Sequence, residues 1–379
     1  MYQIPSGKGF RNFNRVSNIY QTNFGIKKLR SPLRVFQAED LTNENPFEIN
    51  NQVSLIFAEK NKGTKYPIKY FKWTGERTHE LLDYKAEPSD KLDALSTWMI
   101  YNGEAPVKNI GKFDYTIRQG INFGTRPPFF DLQLILDKGH LVQISNLDGK
   151  IKDIEKDKVY PIIKSRHLYK WRIGDSKGER YTYCILPQST PTEKNEDEMK
   201  VKYPKTWDWL NDFRSELLSR KSKVFVKDPF YSIYGLGDWD SKYKVVWQSM
   251  GFYPDFVVVS SVQYKVLGKK LLLPEHVLYF VPTNNEDEAH YICAFLNSTP
   301  VRETLLTLTE GGKSGISKAI LSKVRLDKFN PHDSIHKKLV GLSKKAHGLA
   351  EKDAHELDEI QKEIDILVKQ ICKKKPLTL

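Results

Sequence analysis

The chain has 379 residues, 39% of them hydrophobic and 12% aromatic. At roughly 100–200 residues per domain it has room for two or three packed domains, and its apolar content excludes a disordered polymer. Lysine and arginine number 60 against 47 acidic residues, a formal net charge of +13. The excess is spread along the chain, which suits a polyanion gripped at several places, nucleic acid first among them; a merely basic soluble protein would show the same balance.

Three widely separated cysteines, Cys184, Cys293 and Cys372, exclude a disulfide scaffold and a cysteine-rich zinc site and fit a reducing cytoplasm. No apolar run approaches the roughly 18–20 residues that span a bilayer. The N-terminal MYQIPSGKGFRNF has no apolar h-region, so neither a membrane span nor a signal peptide is expected.

In chain order, residues 1–34 are basic without a clear period, and an irregular acidic stretch, FQAEDLTNENPFEINN, follows. Val53–Ala58 and Ile68–Trp73 read as strands. The polar turn between them, with Gly63 and Pro67, predicts a hairpin. The polar stretch 74–95 is a plausible boundary. Beyond Trp98, strand-like runs recur at Leu132–Leu136, Val142–Ile144, Tyr181–Leu186, Val224–Val226, Tyr243–Trp247, Phe256–Ser260 and Val277–Val281. Residues 188–206 hold almost no core residues and read as an exposed loop. Trp207–Arg220 has helical spacing, with Trp207, Leu210, Phe213 (or Arg214) and Leu217 on one face. A helix is expected at 286–298, where three acidic residues suit the positive N-terminus. The spacing of Leu339, Leu342, Ala346, Leu349, Leu357, Ile360, Ile364, Leu367 and Ile371 predicts an amphipathic helix over 334–372, packed on its own domain or on a partner.

Tests for chemistry exclude more than they find. His332 and His336 stand four apart without a third metal ligand nearby, and His290 with Cys293 reads as core packing. Gly235–Gly237 and Gly311–Ser314 lack the strand–loop–helix context of a nucleotide loop. Asp255 with Gln263 and Lys265 lacks the second carboxylate of a magnesium nuclease site. Arg126-Pro-Pro-Phe129 imitates the Pro-Pro-aromatic loop of amino-methyltransferases, but a guanidinium has only donors and cannot accept a hydrogen bond from an exocyclic amine. Basic and aromatic residues interleave at Tyr169–Arg172, Arg220–Lys223, Pro229–Tyr231 and Lys242–Lys244. Four such clusters suggest a nucleic-acid groove, although solvated surface strands look similar.

Taken in order, several segments resemble the back half of N6-adenine DNA methyltransferases of restriction–modification systems, including the fused type IIG enzymes. Gly9–Phe13, Asn45-Pro-Phe47, Asn50 and Gly63–Ile68 with Trp73 are similar to the close of that family's catalytic domain. Arg118–Gly124, Leu217–Ser222, Pro229–Gly235, Lys242–Trp247 and Ala289–Ser298 are similar to its target recognition domain. The family's methyl-donor motif and Asn-Pro-Pro-Tyr-type loop would precede residue 1. The resemblance therefore implies a chain that starts inside the catalytic domain, as a split subunit or a fragment, and cannot transfer a methyl group alone.

The expected architecture is α/β. Residues 1–95 form the edge of a Rossmann-like methyltransferase sheet, 96–335 an α/β target recognition domain, and 336–379 a C-terminal helix. The expected partners are double-stranded DNA and a catalytic methyltransferase subunit, or the missing N-terminal half, on which S-adenosyl-methionine would sit. No catalytic residue and no metal is expected in this chain. Arg118, Asn122, Thr125 and Arg126 are the candidate base contacts, because arginine pairs with guanine and asparagine with adenine in the major groove. Gly120 and Gly124 allow close approach there, or serve only a tight turn. Lys170, Arg172, Arg220, Lys221, Tyr231, Lys242 and Lys244 are the candidate contacts to the DNA backbone. The alternatives are a stand-alone DNA-binding specificity subunit and a non-enzymatic adaptor of a defence system.

Overall fold

The computed structural model describes residues 33–41, 54–60, 62–73, 81–88, 98–101, 109–125, 128–174, 179–222, 225, 228–249, 254–308, 315–350 and 352–374. The chain divides into two units, Met1–Gly111 with Glu303–Gly312 and Lys112–Arg302 with Lys313–Leu379, a division later than the expected residue 95. The motifs at Gly9–Phe13, Asn45–Phe47, Asn50 and Gly311–Ser314 lie outside the described residues, as do Val224 and Val226.

The first unit contains β1 (Leu33–Asp40), β2 (Ser54–Lys60), β3 (Ile68–Trp73), β4 (Leu81–Pro88) and β5 (Trp98–Tyr101), in the order β2-β1-β3-β4-β5. The two strands expected from the sequence are present, but not as a hairpin: β1 lies between them, antiparallel to β2 and parallel to β3. Strand β1 hid in the acidic stretch because a bulge breaks its alternation. Val35 pairs with Ala58 and Gln37 with Phe57, so Phe36 is the extra residue. Val35 and Ala38 consequently both turn inward, beside Ile68, Tyr70 and Ala86. Buried Glu39 is satisfied by the Trp73 indole N–H at 3.1 Å and the Gln37 amide at 2.6 Å.

From residue 112 on, the chain forms β6 (Arg118–Gln119), β7 (Phe130–Lys138), β8 (Leu141–Ser145), β9 (Ile151–Glu155), β10 (Val159–Ile163), β11 (Leu168–Tyr169), β12 (Arg172–Ile173) and β13 (Thr182–Ile185). Helices α1 (Glu196–Lys202), α2 (Pro204–Asn211) and α3 (Arg214–Leu218) follow. Next come β14 (Tyr243–Gln248), β15 (Val257–Val259), β16 (Ser261–Tyr264), β17 (Gly268–Leu271), β18 (Leu273–Pro274) and β19 (Leu278–Thr283). The helices α4 (Glu286–Asn297), α5 (Thr299–Leu308), α6 (Lys318–Leu321), α7 (Ser334–Leu349) and α8 (Ala354–Lys374) end the chain. The fold is mixed α/β with helices at its C-terminal end.

A six-stranded sheet, β18-β10-β13-β7-β8-β9, and a four-stranded one, β15-β14-β19-β6, organise the second unit. Trp209, Leu210, Leu217 and Met199 from α1–α3 close the core over Leu132, Val142, Ile144, Ile154 and Ile162 of the larger sheet. The segment 188–206 is mostly exposed, as expected, but it is not a loop throughout, since α1 and the start of α2 lie within it. Asn195 caps α1 by accepting the N–H groups of Asp197 and Glu198, and Gln188, Met199 and Thr206 are buried. The expected helix 207–220 is two short helices. Pro204 starts α2 earlier, and Trp209, not Trp207, fills the core and donates its indole N–H to the Pro128 carbonyl at 2.8 Å.

Helix α4 lies on the smaller sheet. Its Asn285 cap accepts from Asp287 and Glu288, and its last residue, Asn297, holds both the N–H and the C=O of Phe256 with one amide. The expected C-terminal helix is a pair, α7 and α8. The turn falls in the eight-position step from Leu349 to Leu357, where Asp353 accepts the Glu356 N–H at 3.0 Å and starts α8.

Helices α4 and α7 are joined by two imidazoles, His290 buried and His347 half-buried. His347 accepts the Val258 N–H at Nε2 (3.0 Å) and meets the Ser343 carbonyl at Nδ1 (2.8 Å), while His290 Nδ1 meets the Ser343 hydroxyl at 3.0 Å. Burial, then the neighbouring His347, pushes His290 down to about 3, and burial lowers His347 as well. Both are neutral in the folded protein and bind protons when it unfolds. Their contribution is complete above the unfolded value near 6.5 and is lost as pH falls below it. Urea midpoints should therefore drop between pH 7.5 and pH 5, by up to about 1.4 kcal/mol per pH unit for each imidazole, and His290→Gln should flatten that slope. An equally steep slope in the variant would show that other groups set it.

Candidate nucleic-acid interface

Arg118, Asn122 and Thr125 lie on one partly exposed stretch, with Arg118 and Gly124 exposed, Asn122 and Thr125 half-buried and Gly120, Ile121 and Phe123 buried; its position follows from its backbone. Gly120 donates to Leu278 O and Ile121 to Pro274 O, each at 2.9 Å, and His276 donates back to Ile121 O at 2.9 Å. A Cβ on Gly120 would stand 2.2 Å from Glu275 O, so only glycine fits this crossing. Asn122 exchanges both backbone bonds with Tyr234, an isolated bridge that ties the loop to the segment before Lys242. Gly124 takes a φ of +73° above the Phe225 ring. Both glycines thus have a structural reason.

The side chains are already engaged. Arg118 Nε donates to Asp238 Oδ2 at 2.6 Å in a half-exposed pair. Asn122 Oδ1 accepts the Gly124 N–H at 2.9 Å, an Asx turn. The Thr125 hydroxyl donates to Glu216 Oε1 at 2.7 Å. Arg126 lies outside the described residues. Lys221 and Lys242 are exposed, and the Lys242 N–H donates to Asn284 Oδ1 at 3.0 Å. Phe129, at the end of the Pro-Pro-aromatic imitation, is fully buried against Phe123, out of reach of any base.

Three expected DNA-backbone contacts are corrected by their burial. Arg220 is 8% exposed, and its guanidinium donates to the carbonyls of Leu217, Phe123, Ser232 and Phe230 while lying over the Phe225 ring. Burial lowers it to about 10, which leaves it charged at neutral pH. Lys244 is 1% exposed and donates to Ser241 O at 2.8 Å; burial lowers it to about 8. Tyr231 is 1% exposed, in the core. None of the three can reach a phosphate.

Lys170 and Arg172 belong to a different place, the β11–β12 hairpin. Arg172 lies over the Tyr169 ring at 4.2 Å. Lys170 is pushed down to about 8, first by burial and then by Arg302, with Asp255 and Asp365 opposing. Asp255 is paired with Arg302 at 3.1 Å, which accounts for this carboxylate structurally. His336 accepts the Asn330 N–H at Nδ1 and stacks on Tyr291. Among the described residues no group of three or more His, Cys, Asp or Glu could hold a metal ion. Sequence reasoning missed Asp238, Glu216 and Tyr234, the residues that hold the loop's side chains and backbone. The available signal was an acidic Asp-Trp-Asp240 directly before a basic cluster.

No family model matches the sequence. The chain is 28% identical over 184 residues to the type II methyltransferase M.NspV of a Nostoc species, a match covering 47% of this chain and 36% of that protein. The solved structure of the type IIL restriction–modification enzyme MmeI in complex with DNA superposes with a TM-score of 0.51 at 9% identity, covering 92% of this chain and 44% of that one. The type IIG restriction endonuclease BpuSI matches at a TM-score of 0.33 and 10% identity, covering 89% of this chain and 43% of that one. Among the described residues no helix is long and apolar enough to cross a membrane.

Arg220→Ala should cost about 3 kcal/mol or more, because it strands several buried carbonyls, read as a lower urea midpoint. A variant as stable as its parent would return Arg220 to the surface role. In sequence the chain is similar to part of a type II methyltransferase and in fold to part of MmeI, and it spans well under two thirds of the length of each.

Proposed function

We propose that this chain is the sequence-recognition part of an adenine-N6 DNA methyltransferase in a restriction–modification or phage-defence system. It holds double-stranded DNA for a catalytic partner, and S-adenosyl-methionine binds on that partner. The observation that carries this reading is the partly exposed, glycine-fixed loop Arg118–Thr125 held by Tyr234 and Asp238, in a chain similar to part of a type II methyltransferase. The net charge of +13 supports it, as does the DNA complex of the structurally similar MmeI.

In this reading the loop meets bases and the exposed lysines meet phosphates. Arg118 exchanges Asp238 for a guanine edge, a bidentate acceptor pair that a guanidinium matches well. Asn122 keeps its amide donors and one carbonyl lone pair for a base. Lys221 and Lys242 neutralise phosphates without reading sequence.

The test is binding to a cognate duplex and single-base variants, together with methyl transfer from S-adenosyl-methionine, by the chain with and without its catalytic partner. Lys221→Ala and Lys242→Ala should weaken all sequences equally and lower the salt slope by about one each. Arg118→Ala and Asn122→Ala should each relax discrimination at one base pair by about 1–3 kcal/mol. Asp238→Asn should tighten binding to every sequence, because it removes a competing carboxylate. Unchanged discrimination in both loop variants would take the loop off the reading surface. Methyl transfer by the chain alone would overturn the recognition-only role.

A further inference from the structure

The hairpin β16–β17 is basic throughout. From Phe256 to Pro274 the chain carries three lysines, Lys265, Lys269 and Lys270, and no acidic residue. The register sets Gln263 opposite Lys269 and Val262 opposite Lys270, so the two consecutive lysines leave the ladder on opposite faces. The turn is fixed from inside, because Tyr264 and Leu267 are buried in the main core of the second unit.

Lys270 is the inward lysine. Its ammonium donates to Lys156 O at 3.0 Å and to Asp157 O at 3.4 Å, and lies over the Tyr160 ring at 4.4 Å. Lys269, on the other face, and Lys265, in the turn, are exposed, as is Gln263. Among the described residues the ammonium groups of Lys265 and Lys269 have no acceptor. Two links tie this hairpin to the footing of the Arg118 loop. Tyr160, which Lys270 covers, meets Trp239 edge-on at 5.6 Å, and Trp239 follows Asp238, the carboxylate that holds Arg118. In the other direction, β17 runs through Leu272 into β18, whose Pro274 carbonyl accepts the Ile121 N–H.

We propose that this hairpin grips the sugar–phosphate backbone of DNA beside the stretch that the Arg118 loop meets, with Lys265 and Lys269 as its phosphate contacts and Gln263 as a neutral donor. Arg118 must give up a carboxylate before it gains an acceptor, whereas Lys265 and Lys269 give up only water. Their heads are compact point charges that rotate freely. Such groups suit a chain of repeated charges, and its counterions are released as they bind. A single oriented anion would ask for a planar fork or a nest of N–H groups instead. Contacts of this kind position a duplex and read no base. The proposal rests on the DNA-binding reading above and adds an element to which that reading gives no role.

The experiment measures binding of the full chain to a labelled mixed-sequence duplex over a series of salt concentrations. Lys265→Ala and Lys269→Ala should each lower the salt slope by about one, and the double variant by about two. Lys369→Ala removes an exposed charge from α8 and should leave the slope unchanged. A second readout needs no variant: the duplex should protect Lys265 and Lys269, and not Lys369, from acetylation read by mass spectrometry. An unchanged slope in the double variant, an equal loss in Lys369→Ala, or acetylation of Lys265 and Lys269 as fast with the duplex as without it overturns the hairpin assignment. The DNA reading then stands if Lys221→Ala and Lys242→Ala still lower the slope. Failure of the parent to bind the duplex overturns both.

Discussion

One buried guanidinium organises the face that carries the loop. Arg220 follows α3, and its donors close the end of that helix at Leu217, hold the loop at Phe123 and fix the segment Phe230–Ser232. Three stretches distant in sequence therefore share one cation. A charge can stay buried only when its donors are met, and carbonyl oxygens with the Phe225 ring meet them here. The same geometry explains why Gly124 must lack a side chain: a Cβ there would press on both Phe225 and the Arg220 side chain. The loop is thus held at Phe123 by the charge beneath it.

This use of charge runs through the second unit. Lys158 lies over Tyr203, Lys164 over Phe130, Arg214 over Phe230 and Lys270 over Tyr160, all within 5 Å. Interleaved basic and aromatic residues therefore describe two situations that a sequence cannot separate. One is a groove for a polyanion, in which ring and cation both face outward. The other is a packed pair, in which the cation's stem covers the ring and its head finds a carbonyl or carboxylate. Arg220 belongs to the second kind and Lys244 is buried with its head on the Ser241 carbonyl, while Lys221 and Lys242, their near neighbours in sequence, stay exposed.

What the sequence made legible follows the same division between local and non-local causes. Strands at Ile68–Trp73, Val142–Ile144 and Tyr243–Trp247 and the helix after Asn285 were legible, because period and cap are local signals. β1 was not, because a bulge at Phe36 broke its alternation and its acidic residues found partners on β3. The two expected strands of the first unit were real while their pairing was not, since nothing local says that a third strand comes between them. The loop Arg118–Thr125 was picked out by residue type, but its attachments to Pro274, Tyr234 and Glu216 are all long-range.

Those attachments bear on how such a loop would discriminate. Arg118 is held by Asp238, and the Asn122 carbonyl is half used by Gly124. A ligand must displace or share an existing partner before it gains anything. A phosphate exchanges one anion for another and, whatever it gains, carries no sequence information. A guanine edge presents two acceptors in the plane of the guanidinium, so the exchange returns two bonds for one. Internal competition of this kind lowers affinity for every sequence and lowers it least for the right one, which is how specificity is gained from a repulsive element as much as from an attractive one. In the recognition reading, the carboxylate beside Arg118 is therefore part of the reading device.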